Sequence, residues 1–448
     1  MRIIIVGAGV IGINLARELS RDHEVYLIEE KEKNAAKASE KLDVKVFTGN
    51  GADPSVLTKA PVHSADMVIA VASADETNVT VCALAGAYGA KFKAARVRNA
   101  SLARAIKKYH GTAFDIDEVI SPEDLAADAI LKSVRTPGAR EVADFANGQI
   151  LFRVFDIEEE SSLREISLGG LSEEDFPWPF LIVAVMRDGH VFFAKGDTVL
   201  QTGDRIYVLL PQKSSGEFLM FVNPQVRKYK KAVIYGASMI GKKVAALLHE
   251  EIGDVVLIEE DYEQAELAAS ELKDVRVLHG SALETDILKE SGIESADVFI
   301  AADKEDQANL VSALLAKKMG AKNTIITTAA PDYTRIVDAI DIDAVFNARF
   351  LAVDQILKFV RGKSFSAVRS FSECDAEALE LIPQEGAAIT RAPLKEMSFP
   401  KDAIIGAVFR DNEVILANGN LQVRPGEKVI VFCREAALKE IQRLFVKK

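Results

Sequence analysis

The chain has 448 residues, 49% of them hydrophobic and 27% charged, with a formal net charge of −12. That length exceeds a single compact core and suits about three or four globular domains. The acidic balance, with no basic tract, argues against nucleic-acid binding, because phosphate contacts need clustered Lys and Arg.

The N-terminus enters a strand at once, Arg2-Ile3-Ile4-Ile5-Val6, with no charged, apolar and cleavable leader before it. The longest apolar runs, such as Phe180-Leu181-Ile182-Val183-Ala184-Val185-Met186, have the length of buried strands. They fall short of the roughly 20 residues a membrane helix needs. A cytoplasmic, non-spanning protein is expected. Cys82, Cys374 and Cys433 are far apart and odd in number, which fits buried free thiols and neither a disulfide scaffold nor zinc.

The first strand runs into Gly7-Ala8-Gly9-Val10-Ile11-Gly12, which opens a helical stretch. In that setting a GxGxxG turn has a physical meaning. Gly7 permits the tight turn, Gly9 lets a pyrophosphate approach the backbone, and Gly12 lets the helix lie close to the strand. The free N–H groups at the helix start then hold phosphates.

The second strand, near 24–28, ends at Glu29, 17 residues after Gly12. A carboxylate there can accept both ribose hydroxyls and disfavours a 2′-phosphate, so NAD is expected over NADP. Further strands are predicted near 44–47, 67–71 and 94–98, separated by helices, which predicts a parallel sheet covered on both faces. Gly49-Asn50-Gly51 follows the third strand and is placed beside the adenine. Ala72 and Ser73 follow the fourth and fall near the adenine or ribose. Ser73-Ala74-Asp75-Glu76 also reads as a capping box, in which Ser73 serves the helix alone. Arg96 and Arg98 share one strand face and can meet phosphate charge or make surface ion pairs.

A helix is predicted from Ser121-Pro122-Glu123-Asp124, with Ser as N-cap and Pro at the first helical position. Leu125, Ile130, Leu131 and Val134 line one face of it. It reads as an ordinary packing helix or as a crossover or dimer helix. Beyond it, roughly 139–222, short strand-like runs are broken by turns such as Arg187-Asp188-Gly189-His190, which predicts a small α+β module.

The whole pattern then recurs. Ala232 to Gly241 repeats Ile3 to Gly12, Val256-Leu257-Ile258-Glu259-Glu260 repeats Tyr26-Leu27-Ile28-Glu29-Glu30, and Ser295 to Ala301 repeats Ser64 to Ala70. Ile356-Leu357-Lys358-Phe359-Val360-Arg361 repeats Ile130 to Arg135. Val423-Arg424-Pro425-Gly426-Glu427-Lys428, just before Val429, repeats Gln201-Thr202-Gly203-Asp204-Arg205, just before Ile206. Constant order and spacing mark a duplication. The expected domains are a nucleotide-binding unit at 1–138, a small module at 139–222, a second unit at 229–363 and a second module at 364–448. The fold class is α/β, with duplicated Rossmann-like parallel sheets, each followed by a small α+β domain.

The second nucleotide turn is altered. It reads Gly236-Ala237-Ser238-Met239-Ile240-Gly241, with Ser at the central glycine. Glu259 is retained, while Thr327 and Ala329 stand where Arg96 and Arg98 stand in the first copy. Unequal sites are expected, the first strong and the second weak or altered. No His, Lys or Tyr constellation suits a proton-transferring dehydrogenase; His110, His190 and His249 read as surface or core residues. A duplicated binding fold without added chemistry suggests a sensor, in which occupancy changes the packing that a partner reads.

The motifs Ile3 to Gly12, Ala70-Val71-Ala72-Ser73-Ala74-Asp75-Glu76-Thr77-Asn78 and Ala95-Arg96-Val97-Arg98 together resemble the TrkA family, peripheral regulatory subunits of the Trk potassium-uptake system. These are tandem RCK/KTN nucleotide-binding domains, each followed by an RCK C-terminal domain, and the resemblance covers essentially the whole chain. It implies a site of Gly7, Ala8, Gly9, Val10, Ile11, Glu29, Ala72, Ser73 and Arg96. The corresponding second site is Gly236, Ala237, Ser238, Met239, Ile240 and Glu259. Glu29 departs from the family's usual Asp, leaving NAD(H) and ATP or ADP as alternative ligands. The resemblance also implies no enzymatic activity, a ring that is a tetramer of this chain, and docking on the inner face of a membrane-embedded potassium-translocating subunit. The competing readings are an NAD-dependent oxidoreductase and a regulator of a transporter for another ion.

Overall fold

The computed structural model describes residues 1–109, 114–171, 178–224, 229–330, 340–360, 365–371 and 376–447. His110, Cys374 and the predicted boundary at 363–364 lie outside the described residues. The chain forms two units. One is Met1–Ala126 with Asn347–Val360; the other is Ala127–Phe346 with Arg361–Lys448.

The first unit is a six-stranded sheet of β1 (Arg2–Val6), β2 (Glu24–Glu29), β3 (Lys45–Thr48), β4 (Met67–Ala70), β5 (Lys93–Arg96) and β6 (Glu118–Ile120). Its order is β3-β2-β1-β4-β5-β6, and every pairing is parallel. The order reverses between β1 and β4, so the ends of those strands open a crevice where ligands bind in such sheets. The sixth strand is not legible in the sequence, because Glu118-Val119-Ile120 is too short to show a period. β1 and β4 are buried on both faces, which is why they read as unbroken apolar runs.

In the second unit the same sheet recurs as β12 (Lys231–Tyr235), β13 (Asp254–Glu259), β14 (Arg276–His279), β15 (Val298–Ala301), β16 (Asn323–Thr328) and β17 (Ala344–Asn347). The order is β14-β13-β12-β15-β16-β17. The two small modules are five-stranded sheets. The first is β7 (Ala139–Phe145), β8 (Ile150–Asp156), β9 (Leu181–Arg187), β10 (His190–Phe193) and β11 (Arg205–Pro211). The second is β18 (Phe365–Phe371), β19 (Ala376–Leu381), β20 (Ala403–Arg410), β21 (Glu413–Leu416) and β22 (Lys428–Arg434). Their strands pair antiparallel. Phe152, Tyr207, Leu209, Ala378, Ala407 and Phe432 share one core between these sheets. Phe152 and Phe432 stack at 5.6 Å, the offset geometry that aromatic pairs favour.

The helix at Pro122–Arg135 crosses between copies. Ser121 accepts the Asp124 N–H at 3.3 Å, capping it as the sequence predicts. Ala127, Ile130, Leu131 and Val134 bury themselves against Val244, Leu248 and Leu257 of the second copy. Arg135 pairs with Glu251 there, Nε to Oε2 at 3.1 Å. The exchange is reciprocal. Helix Ala348–Val360 of the second copy buries Ala352, Val353, Ile356 and Leu357 against Ile11, Leu15 and Leu19 of the first. Gln355 donates to Glu118 at 2.8 Å. Each buried Leu, Ile or Val is worth roughly 1.5–3 kcal/mol, so the exchanged helices are firmly held. No helix among the described residues is long and apolar enough to cross a membrane.

Candidate nucleotide site

A cavity of about 430 Å³ opens at the strand ends of the first sheet, and Gly7, Gly9, Val10 and Ile11 line it together with Glu29, Ala72, Ser73, Arg96 and Arg98. Sequence positions scattered over some ninety residues are brought together by the doubly wound order. Gly49, Asn50 and Gly51 join them.

The glycine turn has the shape the motif predicts. Gly7 adopts φ +110°, and a Cβ on it would lie 2.8 Å from the Ala72 nitrogen. A Cβ on Gly9 would meet no atom within 4 Å. Gly9 is the N-cap of helix Val10–Leu19 and offers no side-chain cap, so the first N–H groups of that helix face open space. Such a helix start can hold an anion.

Ala8 differs from expectation. It is buried, and its N–H donates to Glu29 Oε2 at 2.5 Å. The amide of this residue is therefore spent inside the protein and is not offered to a phosphate. The other carboxylate oxygen, Oε1, accepts the Lys31 N–H at 2.9 Å. Glu29 thus ties the turn to the end of β2. A carboxylate has about four acceptor positions, so the two bonds leave room for ribose hydroxyls.

Ser73 is not a cap either. Helix Asp75–Ala87 has Ala74 as N-cap with no side-chain bond. The Ser73 carbonyl instead accepts from the Arg98 guanidinium, and Ser73 lines the cavity. Two side chains to which the sequence assigns no role set this edge. Asn78 Oδ1 accepts the Ala72 N–H at 2.8 Å, while its Nδ2 donates to the Ala72 and Arg96 carbonyls. Asp75 Oδ2 accepts the N–H groups of Arg98 and Asn99. Together they clamp the end of β4 to the end of β5. Arg96 reaches Glu123 at 3.2 Å across the start of the crossing helix Pro122–Arg135.

Four cations, Lys31, Arg96, Arg98 and Arg349, line the cavity against Glu29 and Glu30. Two of them also meet other carboxylates: Arg96 pairs with Glu123 at 3.2 Å and Arg98 lies 3.8 Å from Asp75. Lys31 directly succeeds the strand-end Glu-Glu pair. Arg349 arrives on the exchanged helix, which no local pattern reveals.

The second copy keeps the frame and changes the contents. Glu259 accepts the Ala237 and Asp261 N–H groups as Glu29 does in the first copy, and Asn309 repeats the Asn78 clamp. Ser238, however, caps helix Met239–Ile252: its hydroxyl accepts the Gly241 N–H at 3.1 Å and donates to the Ala302 carbonyl. Tyr235 stands where Val6 lines the first cavity; it is buried, its hydroxyl lies 3.4 Å from Glu260, and burial pushes its pKa up to about 12. Asp303 stands where Ala72 stands, next to Gly236. Met239 is about half exposed and Ile240 partly buried. Thr327 and Ala329 carry no charge in place of the two arginines. Among the described residues no cluster of His, Cys, Asp and Glu could hold a metal ion.

The TrkA-N domain family matches residues 3–122 and 232–348, and the TrkA-C domain family matches 153–223 and 380–446. The Trk system potassium uptake protein TrkA homolog of Archaeoglobus fulgidus is 30% identical over 446 residues, covering 99% of this chain and all of that one. The Trk system potassium uptake protein TrkA of Haemophilus influenzae is 30% identical over 452 residues, 99% of this chain and 98% of its own. Among solved structures, the GsuK channel bound to NAD matches with a TM-score of 0.63 at 17% identity, covering 99% of this chain and 78% of that chain. The GsuK RCK domain matches at 0.62 and 18% identity, covering 99% and 94%. Identities this low speak to fold.

Proposed function

The chain belongs to the TrkA family, and from that premise we propose that it is a nucleotide-sensing regulatory subunit that gates a membrane potassium-translocating partner. The observation that carries the reading is the first cavity. An uncapped helix start at Gly9, a strand-end carboxylate at Glu29 and four cations converge on one crevice. That is the chemistry of an adenine nucleotide: phosphates on the helix N–H groups and arginines, ribose on the carboxylate.

NAD(H) is the ligand favoured by Glu29. ATP and ADP are the second reading, favoured by four cationic side chains around one cavity. The relatives are named for a potassium uptake system, which supports a potassium-translocating membrane partner; in this reading the chain forms a homotetrameric ring docked on the inner face of that subunit. Occupancy alters the exchanged helices, and the partner reads that change. The second copy contributes packing and binds nucleotide weakly, since Ser238, Tyr235 and Asp303 occupy or oppose the phosphate and ribose positions.

Calorimetric titration with NADH, NAD, ATP and ADP, with NADH oxidation followed in parallel, tests the reading. One saturable site per chain without turnover is expected. Absence of binding, or turnover of NADH, overturns it.

A further inference from the structure

The duplication supplies an internal comparison for every residue of the first site. Ser121-Pro122-Glu123 and Asn347-Ala348-Arg349 occupy the same place, since Ile130 to Arg135 and Ile356 to Arg361 correspond at the same offset. Both helices are capped alike: Ser121 accepts the Asp124 N–H, and Asn347 Oδ1 accepts the N–H groups of Arg349 and Phe350 at 3.0 and 3.3 Å. What differs is the charge in the first turn. Glu123 suits the positive end of a helix, whereas Arg349 opposes it. A cation at this end of a helix is opposed by the helix dipole.

Arg349 lines the first cavity beside Arg96, Arg98 and Lys31. Its backbone is fixed by the Asn347 cap. Its helix is anchored in the first unit by Ala352, Val353, Ile356 and Leu357. The chain of that helix continues directly from β17 of the second copy's sheet.

We propose that Arg349 is a binding residue of the first site, contributed by the second copy, and that it takes phosphate oxygens of the nucleotide. The site is then incomplete without the second half of the chain. The duplication is thereby explained in part: the second copy, with Thr327 and Ala329 in place of the first copy's arginines, lends an arginine to the first. The ligand's phosphate charge is felt by a helix that runs on from the other copy's sheet. The proposal rests on the first cavity being a nucleotide site.

The test compares the full chain with Arg349→Ala and Arg349→Lys by calorimetric titration with ADP and by melting without ligand. Arg349→Ala is expected to weaken ADP by about 10- to 100-fold, the worth of one charge-assisted contact. Arg349→Lys recovers part of that loss, and both variants melt within a few degrees of the parent. Equal ADP affinity in the Ala variant overturns the assignment, as does a loss that Lys fails to recover together with a lowered melting temperature. An unsubstituted chain that binds no nucleotide at all overturns the proposed function itself.

Discussion

Ser238 accepts the Gly241 N–H at 3.1 Å, whereas Gly9 leaves the equivalent helix start uncapped. One hydroxyl therefore does in the second copy what the phosphate of the proposed ligand would do in the first. Ser238→Gly alone is expected to cost a few tenths of a kcal/mol, because Gly is itself an acceptable N-cap. It leaves stoichiometry at one nucleotide per chain, because Asp303, whose backbone abuts Gly236 and whose Oδ1 accepts the Glu305 N–H at 3.0 Å, keeps a negative charge beside the turn. Ser238→Gly combined with Asp303→Ala is expected to open a second, weaker site. Calorimetric stoichiometry distinguishes the two; a single variant that already binds two nucleotides would show that Asp303 is irrelevant.

Gly9 and Gly7 separate binding from folding. A Cβ at Gly9 meets open space, so Gly9→Asp keeps the fold and places a carboxylate at the proposed phosphate position. Nucleotide binding is lost and the melting temperature without ligand is unchanged. Gly7→Ala does the opposite: at φ +110° and 2.8 Å from the Ala72 backbone, it is expected to cost about 1–3 kcal/mol of stability. If Gly9→Asp binds ADP like the parent, the glycine turn is not the phosphate site.

These glycines are legible in the sequence because their chemistry is local: strand, turn and helix succeed one another along the chain. Glu29 is legible for the same reason, although its bonds to the Ala8 and Lys31 amides are not, since a carboxylate's backbone partners leave no pattern. One of the two alternatives for Ser73 fails, because a capping-box spelling does not fix which residue starts the helix; Ala74 takes the cap position. Asn78 and Arg349 escape because their partners are distant. Asn78 joins two strand ends across 18 residues, and Arg349 reaches the cavity only through the helix exchange. The apolar face of Pro122–Arg135 is visible in the sequence, but which sheet it covers is a tertiary fact.

The exchange itself can be weakened from within. Leu357 lies in the core that Ile11, Leu15 and Leu19 share with helix Ala348–Val360. Leu357→Ala leaves a cavity there and is expected to destabilise the protein by about 2–5 kcal/mol. If Arg349 depends on that anchoring, ADP affinity falls as well, although Leu357 does not line the cavity. Chemical unfolding and ADP titration of the same variant check both effects; an intact affinity would mean the helix start is held by the Asn347 cap alone.

Acid stability should report a different joint, at the other end of the crossing helix Pro122–Arg135. Asp144 on β7 pairs with buried Arg153 on β8 at 2.9 Å and with Lys132 of that helix at 3.0 Å. Burial opposes ionisation of Asp144, but the two cations win and hold its pKa below the ordinary carboxylate value. The unfolded chain therefore binds the Asp144 proton at a higher pH than the folded one does. The stabilisation is complete above the unfolded pKa, near pH 4, and is lost as pH falls through the lower folded value. Asp144→Asn removes it at every pH and leaves Arg153 buried without its counter-ion, a change expected to cost about 3–5 kcal/mol. Urea unfolding between pH 7 and pH 3 should show the variant's deficit shrinking towards the acid end, where the parent protonates too. A deficit that stays constant down to pH 3 would show that Asp144 acts through packing and not through its charge.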